Sequence, residues 1–164
     1  MSMNEERFIE RDRMRFTKNT LSSGLALLAI LFNVLYFVSI YKSDVGSYYY
    51  NILTGASVLY NLIFMLVVFL SSEGVKGYKA SFAWVLLAVG ALQILRIFIL
   101  PMRAHTAAIT INQQETIVMQ SAQFLRVVAY LTASAVCCLA AGLIGIRKSR
   151  ALANHMAALE QKAA

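Results

Sequence analysis

The sequence predicts an all-α integral membrane protein, a four-helix bundle that crosses the bilayer four times. Three observations carry that prediction. Of the 164 residues, 59% are hydrophobic and only 14% are charged, with a mean hydropathy of +0.64, too little polar sequence to coat a water-soluble globule. Four apolar stretches, 21–41, 51–71, 80–100 and 125–146, contain no acidic residue. At about 1.5 Å rise per residue each reaches roughly 30 Å, the thickness of the hydrocarbon core. Finally, four such stretches in a soluble chain of this length would leave nothing to cover them. A single proline, eight glycines and the lack of low-complexity sequence argue against a disordered or collagen-like chain.

The segment 1–20 precedes the first span. Ser2 and Glu5 fit a capping box, and Glu10 lies three residues from both Arg7 and Arg13, as Asp12 does from Arg15. A short helix follows from this pattern. Phe8, Ile9 and Phe16 could rest at the headgroup boundary, or the segment is a solvated charged collar that sets topology. The first span is expected to stay in the mature chain, because about twenty residues of mixed charge precede it and no small-x-small site follows before Tyr41.

Orientation follows from the distribution of Lys and Arg. Arg7, Arg11, Arg13, Arg15 and Lys18 precede span one, Lys76 and Lys79 follow span two, and Arg147, Lys148, Arg150 and Lys162 follow span four. The opposite side holds only Lys42 and Arg103, so both termini are expected in the cytoplasm of a plasma or inner membrane. Tyr41, Tyr48, Tyr49 and Tyr50 would form an outer aromatic belt, with Tyr78 and Trp84 near the inner boundary.

The third loop, 101–124, is too long to be structureless in a compact protein. Asn112 followed by Glu115 reads as an N-cap with its reciprocal carboxylate, which predicts a fourth helix from about Gln113 to Arg150 that protrudes on the outer side. In the tail, 147–164, Leu152, His155, Met156 and Leu159 share one helical face, to be covered by the membrane or by a partner.

Polar residues inside the spans are the candidates for function. Asn33 and Asn61 sit near the middle of spans one and two, at similar depth in antiparallel neighbours, where each amide needs a partner. Their surroundings are alike, Leu31-Phe-Asn-Val-Leu-Tyr36 against Leu59-Tyr-Asn-Leu-Ile-Phe64. Gln93 and Arg96 share a face of span three, and Gln123, Arg126, Tyr130 and Ser134 recur along one face of helix four. No acid lies in any span to neutralise the arginines. They either snorkel to lipid phosphates or form an outward-facing cationic pocket, with Arg96 and Arg126 as forked donors, Gln93 and Gln123 beside them and Tyr130 as a wall, for an anionic headgroup, a small anion or an acidic partner segment. Asp44 or Glu115 could instead supply a counter-charge.

The remaining chemistry is sparse. His105 and His155 fall on opposite sides of the predicted membrane and cannot share a metal. The adjacent Cys137 and Cys138 offer neither a redox motif nor zinc spacing. No Ser-His-Asp pattern or paired intramembrane carboxylate is present, so neither an enzyme nor a cofactor is expected, and there is no sign of nucleic-acid binding. The expected function is that of a non-catalytic accessory or adaptor subunit packing against a larger membrane protein, with a small homo-oligomeric transporter or channel as the alternative.

Overall fold

The computed structural model describes residues 18–41, 51–99, 101–106, 108–111, 114–117 and 119–163. The capping box at Ser2 and Glu5 with the charge pairs to Arg15 that predict an N-terminal helix, the expected belt tyrosines Tyr48, Tyr49 and Tyr50, Asp44 and the Asn112 cap lie outside them. In chain order the elements are α1 (Thr20–Tyr41), α2 (Asn51–Lys76), α3 (Ala80–Ile99), a short α4 (Pro101–Thr106), β1 (Ala108–Ile111), β2 (Gln114–Ile117) and α5 (Ser121–Ala163). Four of them, α1, α2, α3 and α5, are long and apolar enough to cross a membrane.

Helix boundaries have local causes. Asn19 caps α1, its Oδ1 accepting the Ser22 N–H at 3.4 Å. The end of α2 closes in a Schellman turn, in which the Lys79 N–H reaches the Gly74 carbonyl at 3.2 Å and the Tyr78 N–H reaches that of Val75 at 3.0 Å. Tyr78 occupies the left-handed position of this turn, with φ of 60°. Pro101 opens α4, where its missing N–H costs no helical bond.

The third loop departs from expectation. The fourth long helix starts at Ser121, not near Gln113, and Glu115 belongs to β2. Ala108 pairs with Ile117 and Ile111 with Gln114 in an antiparallel hairpin. The physical reason lies in the β-branched residues: Ile109, Thr110, Ile111, Thr116 and Ile117 lose side-chain freedom in a helix and fit a pleated ladder. The predicted outer protrusion of helix four is therefore replaced by a hairpin, the one departure from helix among the described elements. The extra length of α5 lies at its other end. Residues 147–163 continue the helix as an alanine-rich stretch without glycine or proline, so the expected tail is one with the fourth span.

Helix α1 packs on α2 and α5, and α3 packs on the same two. Buried positions follow a seven-residue repeat, Ser22, Ala26, Ala29, Asn33, Tyr36 and Ile40 on α1 and Ala83, Leu86, Gly90 and Gln93 on α3, with Arg96 buried one turn after Gln93. Small residues let α5 approach α3 closely. A Cβ added at Gly142 would lie 2.8 Å from the Ala83 carbonyl oxygen, and one at Gly90 would lie 3.3 Å from that of Ala135.

Polarity is inverted relative to a soluble fold. Leu59, Leu66, Trp84, Leu95 and Phe98 are more than half exposed, whereas Asn33, Asn61, Gln93 and Ser134 are fully buried. Hydrocarbon outside and hydrogen bonds inside is the arrangement a lipid solvent selects. Along the helix axes the interior is layered. A polar layer of Asn19, Ser22, Ser23, Ser71 and Ser72 is followed by an apolar layer that includes Ala26, Ala29, Val68, Ala83, Leu86 and Cys138. A second polar layer at Asn33 comes next, and then a closing apolar cluster of Tyr36, Ile40, Met119, Val127 and Leu131.

Candidate functional site

The second polar layer brings one ionised side chain into the core. Arg96 sits on the buried stripe of α3, in its last turn, and is 5% exposed. Three features favour the cation there. The carbonyl end of α3 carries partial negative charge. Its Nη1 donates to Asn61 Oδ1 at 2.9 Å and, more weakly, to Asn33 Oδ1 at 3.4 Å. The guanidinium carbon also lies over the rings of Tyr36 and Tyr60, 4.5 and 4.6 Å from their centroids.

An arginine can only donate, and this fixes the orientation of every amide around it. Both asparagine oxygens turn toward Arg96. The Asn33 amide nitrogen then donates to Asn61 Oδ1 at 3.2 Å, and that of Asn61 to the Ser57 carbonyl at 2.8 Å. Gln93 donates through Nε2 to Asn33 Oδ1 at 2.9 Å and to Ser134 Oγ at 3.4 Å. Ser134 in turn donates to the Ala29 carbonyl at 2.9 Å. Four helices are thus tied by one network that runs outward from a single cation.

Two atoms of the network are left over. Arg96 Nη2 and Gln93 Oε1 are buried without a hydrogen-bond partner. No carboxylate meets the arginine either: among the described residues the one ion pair is Lys76 with Glu73, at the exposed end of α2. A buried charge with an unused donor is costly in a low-dielectric interior, and such groups are ordinarily paired.

The residues singled out in the sequence separate into two groups. Gln93, Arg96, Asn33, Asn61 and Ser134 converge. Arg126, by contrast, is exposed on α5 and does not share the burial of Arg96. Gln123 donates to the Ser39 carbonyl at 3.3 Å, nearer the hairpin end, and Tyr130 packs half-buried against the closing apolar cluster. The two-arginine pocket is accordingly replaced by a site around one arginine. Tyr36 and Tyr60 complete that site and were not among the candidates. The signal for them was position, Tyr36 lying three residues after Asn33 and Tyr60 directly before Asn61.

The hairpin end closes over this layer. His105 stacks on Phe124, ring centroids 4.5 Å apart, and its Nδ1 lies 3.2 Å from the Met119 carbonyl oxygen. Met119 is fully buried in the cluster that contains Tyr36. At the other end, the Ser22 hydroxyl donates to the Ala141 carbonyl, the Ser23 and Ser72 hydroxyls lie 2.8 Å apart, and Ser149 Oγ donates to the Tyr78 carbonyl at 2.9 Å. Cys138 is buried in the small-residue layer, and among the described residues no three His, Cys, Asp or Glu side chains could hold a metal ion.

The chain matches no protein-family model, and neither a curated protein nor a solved structure matches it.

Proposed function

We propose that the chain is a non-catalytic membrane protein that recognises an anionic group at the buried Arg96 site, with both termini in the cytoplasm, and that it serves as an accessory subunit of a larger membrane assembly. The observation that carries the anion reading is the guanidinium edge left without an acceptor. Arg96 is held by amide oxygens and aromatic faces, none of which neutralises it, while Nη2 has no partner. An anion at that edge would supply both the missing acceptor and the missing charge. The accessory role is supported by the broad apolar faces of α2 and α3, where Leu59, Leu62, Leu66, Leu95 and Phe98 stand exposed.

The test is thermal unfolding of the purified protein in detergent across a series of anions at constant ionic strength. A ligand that binds the folded state alone raises the unfolding temperature in a concentration-dependent way. Arg96→Met is expected to abolish the response. A response unchanged by that substitution would remove Arg96 as the site. Co-purification of a stoichiometric larger membrane protein after gentle extraction would support the accessory role, and a pure homo-oligomer would count against it.

One observation favours a transporter as the second reading. The serine-rich layer at Ser22, Ser23 and Ser72 lies in the same helix interior as the Arg96 layer, separated from it by the apolar layer of Ala26, Ala29, Val68, Ala83 and Leu86. Two polar layers in one helix interior, with an apolar barrier between them and Met119 and Leu131 closing the hairpin end, are the polar groups that a path would use. Anion flux into liposomes that is lost with Arg96→Met would favour this reading over the accessory one.

A further inference from the structure

We infer that the ligand of the Arg96 site is a small monoanion that carries a hydroxyl beside its charged oxygens, as α-hydroxycarboxylates do. The inference rests on the anion reading above and narrows it to a chemical class. It comes from the second orphan atom. Arg96 Nη2 is an unused donor, and Gln93 Oε1 is an unused acceptor. Both side chains are at least nine-tenths buried, Gln93 completely. They stand three residues apart on α3 and converge on one atom, Asn33 Oδ1, at 2.9 Å from Gln93 Nε2 and 3.4 Å from Arg96 Nη1.

The glutamine cannot escape by turning over. Its Nε2 is needed by Asn33 Oδ1, which accepts from Arg96 and has no hydrogen to offer, and by Ser134 Oγ, whose own hydrogen goes to the Ala29 carbonyl. Oε1 therefore stays an acceptor. A ligand made only of acceptors, such as a halide, nitrate or a plain carboxylate, would satisfy the arginine and leave the amide oxygen facing negative charge. A ligand with an O–H next to its anionic oxygens satisfies both groups.

Charge selects further. One guanidinium faces no carboxylate in this network, so one negative charge neutralises the layer, while a dianion would leave a net charge buried among apolar layers. The rings of Tyr36 and Tyr60 lie 4.5 and 4.6 Å from the guanidinium carbon and take none of its N–H groups as hydrogen-bond acceptors, so those of Nη2 are left for the ligand. That geometry suits a small planar carboxylate.

The test compares glycolate with acetate, which differ by one hydroxyl, with chloride and dihydrogen phosphate as further probes. Binding to the detergent-solubilised full-length protein is read as the shift of its unfolding temperature at fixed pH and ionic strength. The wild type is expected to bind glycolate about tenfold more tightly than acetate, the size of one well-made hydrogen bond. Gln93→Met should bring the two within about twofold of each other, and Arg96→Met should lose both. Equal binding of glycolate and acetate by the wild type would overturn the inference while leaving the anion reading in place. No shift with any of the four anions would overturn the anion reading itself. The wild-type comparison decides both points without depending on whether a variant folds.

Discussion

Replacing Asn61 with leucine tests whether the buried network acts as one unit. Asn61 Oδ1 accepts from Arg96 Nη1 at 2.9 Å and from Asn33 Nδ2 at 3.2 Å. In Asn61→Leu the arginine retains only the longer 3.4 Å bond to Asn33. A hydrogen bond to a charged group contributes about 1.5–3 kcal/mol, and a neutral one between membrane helices about 0.6 kcal/mol. The single substitution should therefore cost about 2–4 kcal/mol. Removing the cation as well changes the sum: in the double variant Arg96→Met with Asn61→Leu, the donor that lost its acceptor is gone. Replacing both partners by apolar groups is commonly near neutral. The double variant should thus be more stable than the sum of the single effects predicts, by about 1.5–3 kcal/mol, the size of the charged bond they share. Equilibrium unfolding by a denaturing detergent, run as a double-mutant cycle, measures this directly. Additivity to within about 0.5 kcal/mol, the ordinary behaviour of independent sites, would refute the description of Arg96 and Asn61 as coupled.

Three further outcomes follow from the packing. Gly142→Val should destabilise by about 1–3 kcal/mol in the same unfolding assay, because a Cβ there meets the Ala83 carbonyl oxygen at 2.8 Å; a neutral result would mean that α3 and α5 separate freely. Tyr78→Gly should stabilise by roughly 1 kcal/mol by relieving the left-handed backbone at φ 60°, and a loss of stability would show that side-chain contacts of Tyr78 outweigh the strain. Arg126→Gln, at an exposed position on α5, should change stability by less than about 0.5 kcal/mol and leave the anion response intact, whereas an effect equal to that of Arg96→Met would restore a two-arginine site.

The four long helices were legible because apolar runs of this length have few other uses. Their inner faces were less so. Depth alone leaves Arg96 open to two readings, snorkelling or a cationic pocket; the deciding information is rotational, since it shares the buried stripe of Ala83, Gly90 and Gln93 on α3, the helix that packs on α5 and α2. Residues Asn33 and Asn61 could be matched by depth, yet the cation bonded to both was hidden by the distance in sequence from α1 and α2 to α3. Tyrosines in membrane chains suggest boundary anchors, which obscured Tyr36 and Tyr60 as cover for a buried charge. In the third loop, two local signals competed. The helix-capping pattern at Asn112 and Glu115 is short-ranged, and it lost to β-branched residues on both arms of the hairpin, whose pairing no local pattern registers.

The one-way orientation of the amides has a consequence for proton traffic. A relay that moves protons by hopping requires each member to reverse, accepting where it has just donated. Here the arginine never accepts, so Asn33, Asn61, Gln93 and Ser134 are held in a single sense. A chain of fixed sense offers no hopping path for protons among these four side chains, although they are the polar groups nearest the buried cation.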